Sequence, residues 1–275
     1  MADPLVVGAV AYSSKVVTIW EGMRGYFRTS PQPMDYVLFS NYERQVDALL
    51  GGQIDIAWNT NLAWVSTVRR SAGRCVALAM RDVDLGYRTL LVARRDGGPS
   101  GARDLEGRRL ALGSRDSAQA AILPLHFLER EGVDLGRLTL VRFDTDAGKH
   151  GDTGTSELDA MRAVLAGEAD AAAVGIGTWE APALRENLTS RLQAFWESPG
   201  YCHCNFSALD SLDPDRQEAW TTHLLAMAWD DPAHRPILEM EGLRRWVRPE
   251  LEGYMPLFEA TGGLPEAVSG RITRC

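Results

Sequence analysis

VDALLGGQIDIAWNTN, residues 46–61, joins the end of an apolar-periodic helix to a Gly-Gly stop and a short apolar strand over residues 54–58. A polar run, Asn59-Thr60-Asn61, then opens the next helix. The phrase returns at residues 161–175, MRAVLAGEADAAAVG, again helix, glycine, acidic pair and small apolar strand, with Asp55 and Asp170 at matching places. Two such phrases far apart in one chain predict an α/β fold of two similar lobes. Each lobe presents polar loops at the carboxyl end of a parallel sheet, and the crevice between lobes is where a small ligand is expected.

The bounds agree with this. At 275 residues the chain is long enough for two domains with their own cores. A hydrophobic share of 45% and a charged share of 24% describe a soluble globular protein, and the net charge of −8 argues against nucleic-acid binding. No run approaches the ~20 apolar residues of a membrane span, so no membrane insertion is expected. The opening MADPLVVGAVAY lacks an export signal, so the chain as given reads as cytoplasmic; with a signal already removed it reads as periplasmic or extracytoplasmic. Four cysteines, Cys75, Cys202, Cys204 and Cys275, are too few for a secreted disulfide framework.

Outward from the central phrase, residues 5–12 read as a strand and Val16, Ile19, Trp20, Met23 and Phe27 as one face of a helix with Ser14 as N-cap. Gly97, Gly98, Pro99 and Gly101 mark a first crossing between lobes, and residues 198–209, SPGYCHCNFSAL, the return. Lobe 1 is thus expected over residues 1–96 and 197–275 and lobe 2, inserted, over 97–196. Pro124 is expected to kink the helix that follows Ser117. After residue 214 the chain reads as three helices, over 216–229, 235–246 and 251–258.

QIDIAWNTNLAWV, LGSRDSAQAAILPLHFL and LAGEADAAAVG, in that order, resemble the type II periplasmic-binding-protein fold. Within it the chain resembles the phosphate, phosphite and phosphonate binding group, the substrate-binding components of ABC importers. The resemblance implies mixed, mostly parallel sheets with helices on both faces and a hinge of two crossings. It implies a clamp closing on a small polar, anionic ligand, and an ABC permease as partner if the chain is exported. Family ligand contacts map here to Tyr12 and Ser13, to Asn59 and Thr60, and to the turn from Ser114 to Ser117.

The residues themselves supply candidates. Ser13, Thr60, Ser114 and Ser117 sit at helix starts, where free N–H groups and the dipole favour an anion; ordinary N-capping is the competing reading for each. Asn61 belongs to the same polar run. Lys15, Arg81, Arg115 and Lys149 supply countercharge, or serve as solvated or ion-paired surface residues. The segment KHGDTGTSE adds His150, Asp152, Thr153, Thr155 and Ser156, either as ligand contacts or as a capping loop for the next helix. Cys202-His203-Cys204 leaves three readings open: inert buried cysteines, a thiol activated by His150 or Lys149, or a site for zinc, iron or copper made by Cys202, Cys204 and His150. In a strand His203 would face away from both thiols. Two functions follow, a small-molecule binding protein or a cytoplasmic enzyme reusing the fold through those thiols, and the sequence leaves enzymatic activity open.

Overall fold

The computed structural model describes residues 2–151, 153–181, 188 and 190–264; Asp152 and Cys275 lie outside the described residues. In chain order the elements are β1 (Leu5–Val10), α1 (Lys15–Phe27), β2 (Met34–Phe39), α2 (Tyr42–Leu50), β3 (Ile56–Asn59), α3 (Asn61–Arg70) and β4 (Cys75–Arg81). Then come β5 (Thr89–Arg94), β6 (Arg109–Leu112), α4 (Leu123–Arg130), β7 (Thr139–Arg142), α5 (Thr155–Ala166), β8 (Ala171–Gly175), α6 (Ile176–Glu180) and β9 (Leu192–Glu197). The chain continues through β10 (Asn205–Leu209), α7 (Pro214–Leu225), α8 (Arg235–Glu241), β11 (Trp246–Val247) and α9 (Met255–Ala260).

The chain divides into two units, one built from Met1–Gly86 and Tyr201–Phe258, the other from Tyr87–Gly200 with Glu259–Gly262. These boundaries differ from the expected ones. Residues 87–96, expected in lobe 1, carry β5, which hydrogen-bonds antiparallel to β8 and β9 and so belongs to the second sheet. The Gly-rich run 97–101 therefore falls inside the second unit. Residues 205–209, expected in the return crossing, form β10, an interior strand between β3 and β4. The helix expected over 235–246 stops at Gly242, whose left-handed φ of 73° ends α8 and lets β11 follow.

In the first unit the strand order is β11-β4-β10-β3-β1-β2, with β1 parallel to β2 and β3 and with β10 antiparallel to β3 and β4. In the second it is β7-β6-β8-β5-β9, with β6 parallel to β7 and β8 and with β5 antiparallel to its neighbours. Both sheets are mixed, parallel along one side and antiparallel along the other. Strands β1, β3 and β8 are buried along almost their whole length, which is why they read as unbroken apolar runs instead of alternating ones. The face of α1 read from spacing is the buried face: Val16, Ile19, Trp20, Met23 and Phe27. Phe206 of β10 packs there against Trp20, Trp58, Trp220 and Trp246, with ring centroids 4.6 to 6.1 Å apart.

The repeated phrase has one physical job in both units. Asp55 Oδ2 accepts from the Val6 N–H at 2.7 Å while its own N–H donates to the Val6 carbonyl at 2.8 Å. Asp170 Oδ2 accepts from the Arg109 N–H at 2.8 Å while its N–H donates to the Arg109 carbonyl at 2.9 Å. Each aspartate thus continues the parallel ladder past its end with a side chain, pinning β3 to β1 and β8 to β6.

At Pro124 the helix changes its winding. The five residues before α4, Ala118–Ile122, are wound as a π-helix, with Ile122 N donating to Ser117 O at 3.0 Å. Pro124 has no N–H for the carbonyls one turn back. Those carbonyls are satisfied elsewhere: Gln119 O by the Thr89 hydroxyl at 2.7 Å and Ala120 O by the Gly113 N–H at 2.9 Å. The widened turn is thereby tied to β5 and to the residue that follows β6.

Candidate functional site

In the second unit the structure draws several sequence candidates into one buried polar cluster. Ser114, Ser117, Gln119, Asp146, His150, Ser156 and Glu157 are all buried. The Ser114 hydroxyl donates to Phe143 O at 3.3 Å and accepts from the Asp146 N–H at 2.9 Å. The Ser117 hydroxyl accepts from the Ala120 N–H at 3.1 Å, a true N-cap. Gln119 donates to Gly151 O at 3.1 Å and to Glu157 Oε1 at 3.0 Å, and Glu157 Oε2 accepts from the Gly175 N–H at 2.7 Å. The loop from Asp146 to Gly151 is seated on the turn that starts at Ser114. A Cβ at Gly151 would collide with Ser117, and His150 beside it takes a positive φ of 52°.

Capping of α5 comes from outside the helix. The sequence reading gives that task to Thr155 or Ser156, but the N-cap position is Gly154, without a side chain to cap. Asp146 Oδ2 accepts from the Ser156 N–H at 2.8 Å instead. The Ser156 hydroxyl is left buried with no hydrogen-bond partner among the described residues. It lies 2.9 Å from where a Cβ on Gly113 would be, so only glycine leaves that hydroxyl its room. Thr153 and Thr155 bond each other at 3.3 Å toward the outside, and Lys149 is half-buried. Arg115 is an ion-paired surface residue: it is exposed and grips Asp144 at 2.7 Å. Its side chain, and then its backbone N–H, hold the Asp144 carboxyl down at about 2.

In the first unit the Asn59-Thr60-Asn61 run faces inward. Asn59 Nδ2 donates to Ser207 Oγ and its Oδ1 accepts from Gln45 Nε2, each at 2.8 Å, so its amide is consumed in knitting β3 to β10 and α2. Thr60 is the N-cap of α3, accepting from the Ala63 N–H at 3.3 Å, and Asn61 donates to Cys202 O at 3.3 Å. Before α1, Tyr12 is half-buried and Ser13 and Lys15 are exposed. Ser14 stands at the N-cap with helical φ and ψ and makes no capping hydrogen bond, in keeping with the extended backbone that a capping residue normally has.

The Cys-His-Cys stretch is buried and already engaged within the first unit. Cys202 and Cys204 lie in the first unit and His150 in the second. Burial pushes the Cys202 thiol up to about 11, so it is a protonated hydrogen-bond donor, to Glu250 O at 3.2 Å, instead of an activated nucleophile. His203 does not point away from both thiols: its Nδ1 lies 3.1 Å from Cys204 Sγ and 3.3 Å from Asp84 Oδ1. Among the described residues the one grouping of three potential metal ligands is Asp84, His203 and Cys204. Arg81 already holds both Asp84 oxygens, at 2.6 and 2.9 Å, and lies over the Trp58 ring at 5.4 Å. Burial, the largest influence, pushes the Asp84 carboxyl up, but Arg81 and His203 together outweigh it and the net shift is downward. A metal here would sit against that guanidinium, so the cluster fits an ion-pair network and does not fit zinc, iron or copper. Asp84 escaped the sequence reading; its signal was the i, i+3 spacing from Arg81.

Two α/β units with this strand order define the type II periplasmic-binding-protein fold. Solved structures share it: PhnD1 of Prochlorococcus marinus in complex with methylphosphonate has a TM-score of 0.72 at 21% identity, over 93% of this chain and 96% of that one. A Xanthomonas citri protein bound to chloride gives 0.71 at 18% identity over 99% of each chain. A binding protein component of a Pseudomonas aeruginosa ABC phosphonate transporter gives 0.65 at 15% identity, over 99% of this chain and 94% of that one. In sequence the chain is 24% identical over 236 residues to the probable ABC transporter phosphite binding protein PhnD1 of Prochlorococcus marinus, covering 82% of this chain and 76% of that protein. The model of the family described as ABC transporter, phosphonate, periplasmic substrate-binding protein matches residues 8–254, and the chain belongs to that family. The enzyme alternative finds no support in these relatives. Among the described residues no helix is long and apolar enough to cross a membrane.

Proposed function

We propose that this chain captures a small phosphorus oxyanion, of phosphonate or phosphite type, outside the cytoplasm and delivers it to an ABC permease. The observation that carries this reading is the family match across residues 8–254. Of the sequence candidates, Ser114, Ser117, Ser156, Lys149, His150, Thr153 and Thr155 in the second unit and Tyr12, Ser13 and Lys15 in the first are retained as ligand contacts. Asn59, Thr60 and Asn61 act by setting the shape of their loop, and Arg81 and Arg115 act through their carboxylate partners. The buried Ser156 hydroxyl supports the reading, because a buried hydroxyl without a partner is costly unless something bonds it.

Titration calorimetry of the purified chain against methylphosphonate, phosphite, phosphate, sulfate and an aliphatic sulfonate tests the proposal. A phosphorus oxyanion is expected to bind at least tenfold more tightly than sulfate. Ser156→Ala should weaken it roughly tenfold or more, the loss of one hydrogen bond to a charged group. Binding of none of the five below the millimolar range, or tightest binding of the sulfonate, would refute it.

A further inference from the structure

The first unit holds a cavity of about 1200 Å³ that contains none of the anion candidates. Its floor is apolar, with Trp64, Val76, Leu78, Leu251 and Met255. Five carboxylates line it as well, Asp210, Asp215, Glu218, Glu250 and Glu252, against a single basic residue, Arg248. That arginine is spent on Glu218, at 2.6 Å. The cavity therefore carries an excess of negative charge over an apolar base, the reverse of an anion site.

A second observation points to a ligand. Thr221, on α7, lines the same cavity, is fully buried, and its hydroxyl has no hydrogen-bond partner among the described residues. A buried hydroxyl in that condition is normally satisfied by something that occupies the space beside it. A group with N–H donors would satisfy the Thr221 oxygen and answer the carboxylates together, and methylenes would cover the floor. We propose that this cavity is a second binding site, for a small aliphatic amine of one to three positive charges, separate from the family's anion site.

Titration calorimetry with spermidine and putrescine, and with 1,4-butanediol as the uncharged counterpart, tests it. The amines are expected to bind at about one per chain, the diol not at all, and the affinity to fall as salt is raised. Thr221→Val should weaken spermidine about fivefold, the worth of one buried hydrogen bond. Asp210→Asn and Glu250→Gln, both at exposed positions that leave folding intact, should each weaken it about two- to fivefold. Absence of amine binding overturns the proposal, as does an affinity indifferent to both carboxylate variants or equal binding of the diol.

Discussion

Asp144 and Cys202 show how neighbours, more than residue type, fix what a side chain does. Arg115 lies in the turn that sequence reasoning assigns to ligand binding, yet its charge is answered by Asp144, which follows β7. The folded carboxyl, held at about 2, lies below its ordinary 3.8, so the pair's contribution to stability is present above 3.8 and is lost as pH falls toward 2. Carbon-detected NMR should find the Asp144 midpoint at about 2, rising toward the ordinary value in Arg115→Gln; an unmoved midpoint would show that the pairing is not its cause. The Cys202 thiol runs the other way, from 9.0 to about 11 through burial. Its contribution is present below 9 and lost as pH rises through 11, so stability should decline over that interval and less so in Cys202→Ala. Native Cys202 should also resist iodoacetamide at pH 8, with peptide mass spectrometry as the readout.

At the level of elements, the second unit depends on side chains that finish what the backbone begins. Asp146 ties the start of α5 to the Ser114 turn by one side-chain and one backbone hydrogen bond. Asp146→Ala should therefore cost about 1–2 kcal/mol in urea unfolding, the usual worth of a helix cap. Asp146→Asn should retain most of it, and a loss below about 0.3 kcal/mol in the alanine variant would deny the cap. The aspartates at 55 and 170 do the same for strands, and here the sequence was informative. A device that must recur wherever a parallel ladder ends leaves a repeated phrase, and the phrase identified the fold. Asp146 left no such trace, because it caps a helix nine positions away through a loop, beyond any local spacing rule. The same limit hid the Asp84 network and the strand at β10: what decides them is pairing between segments distant in the chain. Thr60 and Ser117 were legible as N-caps since capping is local, whereas Asn59 was read as a ligand contact and its bond to Ser207, far along the chain, lay beyond any local rule.

For the molecule as a whole, the family assignment and the net charge of −8 pull in different directions. A protein of this sign repels an anion at long range, so any affinity for a phosphorus oxyanion must come from short-range donors whose strength salt alters little. An amine at the acidic cavity gains from the same long-range field. The two ligands should therefore respond oppositely to ionic strength. Screening shortens from about 30 Å at 0.01 M to about 8 Å at 0.15 M. Over that range the association rate of methylphosphonate should hold or rise, while spermidine binding weakens. Each ligand at a hundredfold excess over its dissociation constant should stabilise the folded chain by about 2.7 kcal/mol if it binds that state alone. Bound at separate places, the two should raise the melting temperature additively, since sites without shared groups do not couple. Scanning calorimetry with each ligand and with both together measures this. If either ligand abolishes the other's shift, the two compete for one site, and the cavity beside Thr221 is not a second one.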